Sequence, residues 1–327
     1  MNPYLIARKI SQVAILIVLM AVVIFVVYRL MPGNPAQLLL FGATKHGLSP
    51  QKVLQLEQQM GLAGGKWNFA NFITYMKDML TFNFGYDYYQ NLTVWQIIQQ
   101  ALPYTLLLFG LAAIISFVIG IPLGIITTWF RGTRKEAGLV GSSNVLNAIP
   151  FFVLAIVLIV YFTGQIPIFP VRAIFPLTWL TQPTLASLAD AAYYMFLPVT
   201  SLVAIEAAAH LLTTRAAMVG ILGEDYITTA RAKGVSERSL MFHHAARNAM
   251  IPISTRMALE FALLMSGAVI VEIIFSWPGM GHLLFQATLS LDYTLAEGSL
   301  FVISLVTIVT YAFVDFIHSW LDPRIKL

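Results

Sequence analysis

The chain contains no cysteine and few charged residues. Without thiols there are no disulfides, no Fe–S clusters and no thiol catalysis. Asp, Glu, Lys and Arg make up 10% of 327 residues, against about 25% in ordinary soluble domains. With 58% of residues hydrophobic, the chain lacks the polar surface of a cytosolic enzyme. Intrinsic disorder is excluded for the same reason. There is no long Lys/Arg run, and 19 basic against 15 acidic residues leave a net charge of only +4. Nucleic-acid binding therefore has little support. The apolar run from Val13 to Tyr28 is longer than most signal-peptide cores, and no small-residue cleavage site follows it. It reads as a retained span. The class left standing is a polytopic membrane protein.

A membrane helix needs about 20 mostly apolar residues. Six segments qualify: 10–30, 104–129, 141–164, 195–217, 250–274 and 298–319. The predicted fold is all-α. Gly120, Pro122 and Gly124 cut the second segment, Pro150 cuts the third, and Glu206, His210 and Arg215 interrupt the fourth. Lys and Arg set the orientation. A cytoplasmic amino terminus puts Arg8, Lys9, Arg131, Arg134, Lys135, Arg231, Lys233, Arg238, Arg247, Arg324 and Lys326 on one side. The segment 275–297 has no Lys or Arg, and 165–194 has only Arg172. Both termini are expected in the cytoplasm of a multi-pass cell-membrane protein.

The expected organisation is a first span (1–31), an extracytoplasmic cap (32–100) and a core of five spans (101–327) with a cytoplasmic loop at 218–249. The cap mixes lysines with Trp67, Phe82, Phe84, Tyr86, Tyr88 and Tyr89. Ser49 can cap a short helix that Gly61 ends. The segment 165–194 carries four prolines and then an apolar stretch from Thr184 to Tyr194. That stretch reads as a re-entrant or interfacial helix.

The loop 218–249 carries the most information. Glu224 and Asp225 stand at a helix start, where the dipole favours anions. Lys233 stands at its end, before Gly234, which permits a left-handed stop. Ser236 can cap a second helix through about Met250. Tyr226, Ile227, Ala230 and Ala232 give the first helix a modest apolar side. A short helix across the ends of spans suits a partner's groove.

This stretch resembles the EAA loop of ABC-transporter permeases, in particular the dipeptide/oligopeptide/nickel branch, whose loop reads close to EDYxxTARAKG followed by HAxRNAxIP. Glu224, Asp225, Tyr226, Thr229, Ala230, Arg231, Ala232, Lys233 and Gly234 match the first part. His244, Ala245, Arg247, Asn248, Ala249, Ile251 and Pro252 match the second. RLMPGNPA at 29–36 is similar to RLxPGDPA of the branch, and FNFGYDY at 82–88 resembles its GDLGxS stretch. LPYTLLL at 102–108, IGIPLGI at 119–125, FSWPGMG at 275–281, LDYTLAEG at 291–298 and LDPRIKL at 321–327 also match, in order. Thr228 departs from the Glu of the broader superfamily, Asn34 stands where Asp is usual, and FNFGYDYYQ is unusually aromatic.

The resemblance implies one permease of a pair in an ATP-driven, binding-protein-dependent importer. Two ATPase subunits would bind below, a substrate-binding protein would dock above, and membrane lipid would surround the spans. ATPase coupling would fall to Glu224, Asp225, Tyr226, Thr229, Ala230, Arg231, Lys233 and Gly234. Docking would fall to Tyr86, Tyr88, Tyr89, Trp277 and Pro278 on the outer side. Di- or oligopeptides are the implied cargo, with oligosaccharides and then nickel as alternatives. A rival of another class is a proton- or sodium-coupled carrier using Glu206, His210 and Glu260 as a relay. A purely structural scaffold is a second rival. Neither accounts for the coupling loop.

The chain is expected to be non-catalytic and to bind no cofactor or metal, ATP and Mg being held by the ATPase subunits. GLAGGKW at 61–67 has the wrong spacing for a phosphate loop, and no Ser or Thr follows Lys66. His243 and His244 are adjacent, so they cannot share a helix face as metal ligands do. His244 is expected to hydrogen-bond a nearby group. Charges inside spans are costly and are usually paired or functional. Arg256 with Glu260, and Glu206 with His210, are each four residues apart. They read as interhelical locks or as a polar wall of the pathway.

Overall fold

A computed structural model describes residues 3–30, 69–87, 90, 92–170, 172, 184–250, 253 and 269–321. The short helix expected after Ser49 and the segment 61–67 lie outside them, as does most of the fifth expected span.

The described residues form an almost entirely helical chain. Helix α1 spans Pro3–Leu30, and α2 spans Phe69–Leu80. A two-stranded antiparallel pair follows, β1 (Tyr86–Asp87) and β2 (Leu92–Thr93), with Tyr86 opposite Thr93 and Asp87 opposite Leu92. Helix α3 spans Val94–Trp129, α4 Arg134–Ala148 and α5 Phe151–Ile159, the last continued by a π-helical turn at Val160–Gln165. Helix α6 spans Leu185–Leu222, α7 Asp225–Ala232 and α8 Glu237–Ser239. A π-helical turn, Leu240–Ala245, continues α8. Helix α9 spans Met280–Leu289, and α10 spans Tyr293–Leu321.

Among the described residues four helices are long and apolar enough to cross a membrane, or five if the bent pair α4–α5 counts as one span. The bend is 91°. Its cause is local: Pro150 disfavours the helical region at Ile149, which is extended at φ −81°, ψ 123°. Two expectations need correction. The second span is not cut by Gly120, Pro122 and Gly124; α3 runs unbroken for 36 residues, about 54 Å at 1.5 Å per residue. Proline is tolerated in membrane helices where local groups re-satisfy the backbone. The group freed by Pro122 is the Val118 carbonyl; further on, Thr127 and Thr128 back-bond to the Leu123 and Gly124 carbonyls at 2.6 and 2.9 Å. The stretch 184–194 is not a separate re-entrant helix. Thr184 and Ser187 form a capping box, and α6 then continues through Pro198 for 38 residues.

The described chain forms two compact units. One contains residues up to Thr105 with Pro278–Ala312; the other contains Leu106–Trp277 and the chain from Phe313. In the first, Phe25 of α1 meets Phe72 and Tyr75 of α2, with ring centroids 5.2 and 5.1 Å apart. Phe82, Phe84, Trp95 and Phe301 form a second aromatic knot. In the other unit, Ile121, Met218, Ile227, Leu240, Met241, Ala245 and Ala249 share a core cluster.

Four turns in the two units close with the paired hydrogen bonds of a Schellman stop. Only the one at Gly234 has glycine at its left-handed position; the others use Phe82 (φ 58°), Ser276 (φ 50°) and Leu291 (φ 61°). The bonds at Leu291 are Leu291 N–H to the Thr288 carbonyl and Asp292 N–H to the Ala287 carbonyl. The first of these stops terminates α2 and the last terminates α9.

Candidate functional site

The expected coupling segment folds as its local signals dictate. Glu224 is the N-cap of α7 in extended conformation, and Asp225 occupies the first turn. Thr229 donates its hydroxyl to the Asp225 carbonyl at 3.0 Å. Lys233 is the C-cap, and Gly234 (φ 79°) makes the left-handed stop, its N–H reaching the Arg231 carbonyl while the Val235 N–H reaches that of Ala230. Ser236 then caps α8 by accepting from the Ser239 N–H.

The fork of Arg231 closes this turn. Its Nε donates to Glu237 Oε1 at 2.6 Å and its Nη2 to Oε2 at 3.2 Å. The guanidinium holds the Glu237 carboxyl below the usual carboxylate range, and the carboxylate pushes the guanidinium up. Both side chains are well exposed, so the pair orders the turn more than it stabilises the fold.

Ile227 anchors the helix. It is 0% exposed and packs in one cluster with Met218 of α6, Leu240, Met241 and Ala245 of the following π turn, and Ile121 of α3. Ala230 is half-buried against the same cluster. Tyr226 keeps 43% of its surface exposed, and its hydroxyl accepts from the Asn248 amide at 2.9 Å. The short helix is thus tied to its surroundings by Ile227, Ala230 and the Tyr226–Asn248 hydrogen bond. Asp225, Thr228, Thr229 and Arg231 are exposed.

The other predicted residues divide. His210 is buried, its ring 4.6 Å from that of Phe117, while Glu206 one turn earlier is half-buried. Arg256, Glu260, Tyr88 and Tyr89 lie outside the described residues. Tyr86 is exposed on β1, whereas Trp277 is 0% exposed. Pro278 is half-buried. His244 is exposed, and the expected hydrogen bond is not made among the described residues.

Sequence reasoning missed two ion pairs, the Arg231–Glu237 pair above and one between distant segments. Arg215 of α6 donates through Nε to Glu136 Oε1 at 2.8 Å and through Nη2 to the same oxygen at 2.5 Å. The other oxygen of Glu136 accepts from the Gly132 N–H at 2.6 Å. This ties the turn before α4 to the lower part of α6. The cost of an intramembrane charge was the signal for Arg215; its partner lies 79 residues away and left none. Helix α2 was also missed, although Phe72, Tyr75, Met76 and Met79 have helical spacing and all pack against the core. Among the described residues no group of three or more His, Asp or Glu could hold a metal ion.

A family described as the binding-protein-dependent transport system inner membrane component matches residues 120–327, and its N-terminal counterpart matches residues 1–109. A probable peptide ABC transporter permease of Sinorhizobium fredii is 30% identical over 326 residues, covering 100% of both chains. Dipeptide transport system permeases of Alkalihalophilus pseudofirmus and Escherichia coli are each 30% identical, covering 94% and 92% of both chains respectively. With two family matches spread over most of its length, and a long helical build to go with them, the chain belongs to the inner-membrane components of binding-protein-dependent transport systems.

Proposed function

We propose that the chain forms half of the translocation path of an ATP-driven importer of di- or oligopeptides. A second, similar permease would complete the path, and two ATPase subunits would supply ATP and Mg chemistry. A substrate-binding protein would deliver cargo from outside. The chain itself would be non-catalytic. The observation that carries this reading is α7: an isolated eight-residue helix, sharply turned at both ends, with Ile227 held by the ends of longer helices and its polar side open. Such a helix suits a cleft in an ATPase and passes closure of that cleft to α3 and α6. Peptide as cargo is supported by the names of the relatives.

In this reading both termini and 218–249 face the cytoplasm, and 32–100 face outward, with Tyr86 open to a docking partner. Glu206 and His210 lie along α6 and line or lock the path. The test is reconstitution of the complex in vesicles. ATP hydrolysis stimulated by a peptide-loaded binding protein, with peptide accumulation, is the expected result. A chain that moves peptide with no ATPase present overturns it.

A further inference from the structure

We propose that Asp87 and Asp292 form a proton-operated latch that fastens the β1–β2 hairpin to the start of α10. The two carboxyls are 2% and 8% exposed and face each other within hydrogen-bonding reach. Two ionised carboxylates are acceptors only, so a bond between them requires a proton on one. Once both ionise, the bond is lost and like charges face each other in a poorly solvated site.

The surroundings are built for two positions. Asp292 begins α10, its Oδ1 accepting from the Leu295 N–H at 2.9 Å and its carbonyl from the Ala296 N–H. It directly follows Leu291, held at φ 61°, and Asp87 lies close after Phe82 at φ 58° and Gly85 at φ 91°. Strained residues of this kind persist where their surroundings over-determine them, and they cluster at switches. The Gly85 Cα approaches Thr294 so closely that a Cβ would lie 3.1 Å from the Thr294 methyl. The hairpin and the helix start therefore move together or separate at this seam.

Burial, and then Asp87, push the Asp292 carboxyl up to about 6, against the opposing N–H groups of Leu295 and Thr294. Other titratable groups of the same unit include Arg8, Lys9 and Tyr28 on α1, Tyr75, Lys77 and Asp78 on α2, Tyr86 on β1, Tyr104 on α3, His282 on α9, and Tyr293, Glu297 and Tyr311 on α10. Among the described residues Asp87 is the charged side chain that acts on the Asp292 carboxyl. A folded value above the ordinary 3.8 means the protonated form is favoured by folding. The contribution is complete below about pH 4 and is lost as pH rises through about 6. The latch is closed in acid and loosened above that point. That loosening would alter how Tyr86 is presented to a docking partner rests on the outward orientation proposed above; the latch itself does not.

The test is backbone hydrogen exchange of the segment 84–94 in the purified transporter complex, corrected for intrinsic exchange, from pH 4.5 to 8. No transport or ATPase readout enters, so the result stands apart from the proposed function. In the wild-type complex, protection should fall by about tenfold or more with a midpoint near 6. The rise of the Asp292 carboxyl from 3.8 to about 6 limits that fall to roughly 100-fold. Asp87→Ser and Asp87→Asn should each reduce it to under about threefold. Asp292→Asn retains a good N-cap and should flatten it equally. The infrared band of a buried protonated carboxyl should be present in the wild type and missing from Asp87→Ser. Protection independent of pH in the wild type, or an unchanged slope in Asp87→Ser, overturns the latch.

Discussion

Gly120 lies against His210 so closely that a Cβ on it would fall 2.5 Å from the His210 Cβ and 2.6 Å from the Ala207 carbonyl oxygen. Gly124, one turn on, meets Thr214 and the Leu211 carbonyl in the same way. Helices α3 and α6 touch backbone to backbone here, the usual way for membrane helices to pack without a hydrophobic drive between them. Gly120→Ala should therefore destabilise the complex by about 1–3 kcal/mol through overpacking. Gly110→Ala is the control, because a Cβ at Gly110 meets nothing within 4 Å. Thermal aggregation of the purified complex measures both; equal behaviour of the two variants counts against the close crossing.

The pair Glu136–Arg215 should be strongly non-additive. Arg215→Met leaves a nearly buried carboxylate with only the Gly132 N–H, at a cost of about 1–3 kcal/mol for an under-satisfied polar group. Glu136→Gln keeps that bond and should cost less. Removing both charges should cost less than Arg215→Met alone. A double-mutant cycle on thermal stability gives the coupling directly. A coupling near zero means the ion pair does not hold the turn to α6.

Gly234→Val should abolish stimulated ATPase activity while the spans still insert. Its φ of 79° imposes about 1–2 kcal/mol on a β-branched residue such as Val. Within this chain, a Cβ there meets nothing within 4 Å, so any further loss arises in a partner's cleft. Asn tolerates the left-handed region, so Gly234→Asn separates the two effects. Retained coupling in Asn but not in Val assigns the loss to the backbone; loss in both assigns it to the cleft. Full activity in Val removes the turn from the coupling mechanism.

Leu291→Gly should stabilise the complex by up to about 1 kcal/mol. The left-handed conformation costs a Leu about 1–2 kcal/mol, and the extra freedom of unfolded Gly returns about half of it. The side chain is substantially exposed and gives up little packing. An increase in the thermal midpoint is the expected reading, and a decrease shows that packing of the Leu291 side chain outweighs the strain of its backbone angle.

Trp277 and Tyr86 should separate stability from delivery. Trp277→Ala empties a fully buried site and should cost about 3–5 kcal/mol. Tyr86→Ala should leave the thermal midpoint within about 0.5 kcal/mol of wild type, as exposed substitutions do. It should raise the concentration of binding protein needed for half-maximal transport, equally for two chemically different peptides. If one peptide is blocked and the other spared, Tyr86 reads the cargo itself.

Those features of the chain that depend on neighbours in sequence were legible in it. Low charge and apolar runs of about 20 residues dictate membrane helices, because a helix satisfies its own backbone where no water is available. The ends of α7 follow from Glu224, Asp225, Lys233 and Gly234, since caps and left-handed stops act within one turn. The bend at Pro150 follows from one missing N–H and one steric clash. Helix α2 was legible but overlooked, its apolar spacing hidden among the aromatics of the cap. What only the tertiary structure decided lies between distant segments. It chose Glu136 as the partner of Arg215, placed Gly120 under His210, buried Trp277 and set Asp87 against Asp292. Each of these depends on which helices pack together, and the free energy of such contacts is set by the three-dimensional neighbours that desolvate or pair a group. A window along the sequence contains no record of them.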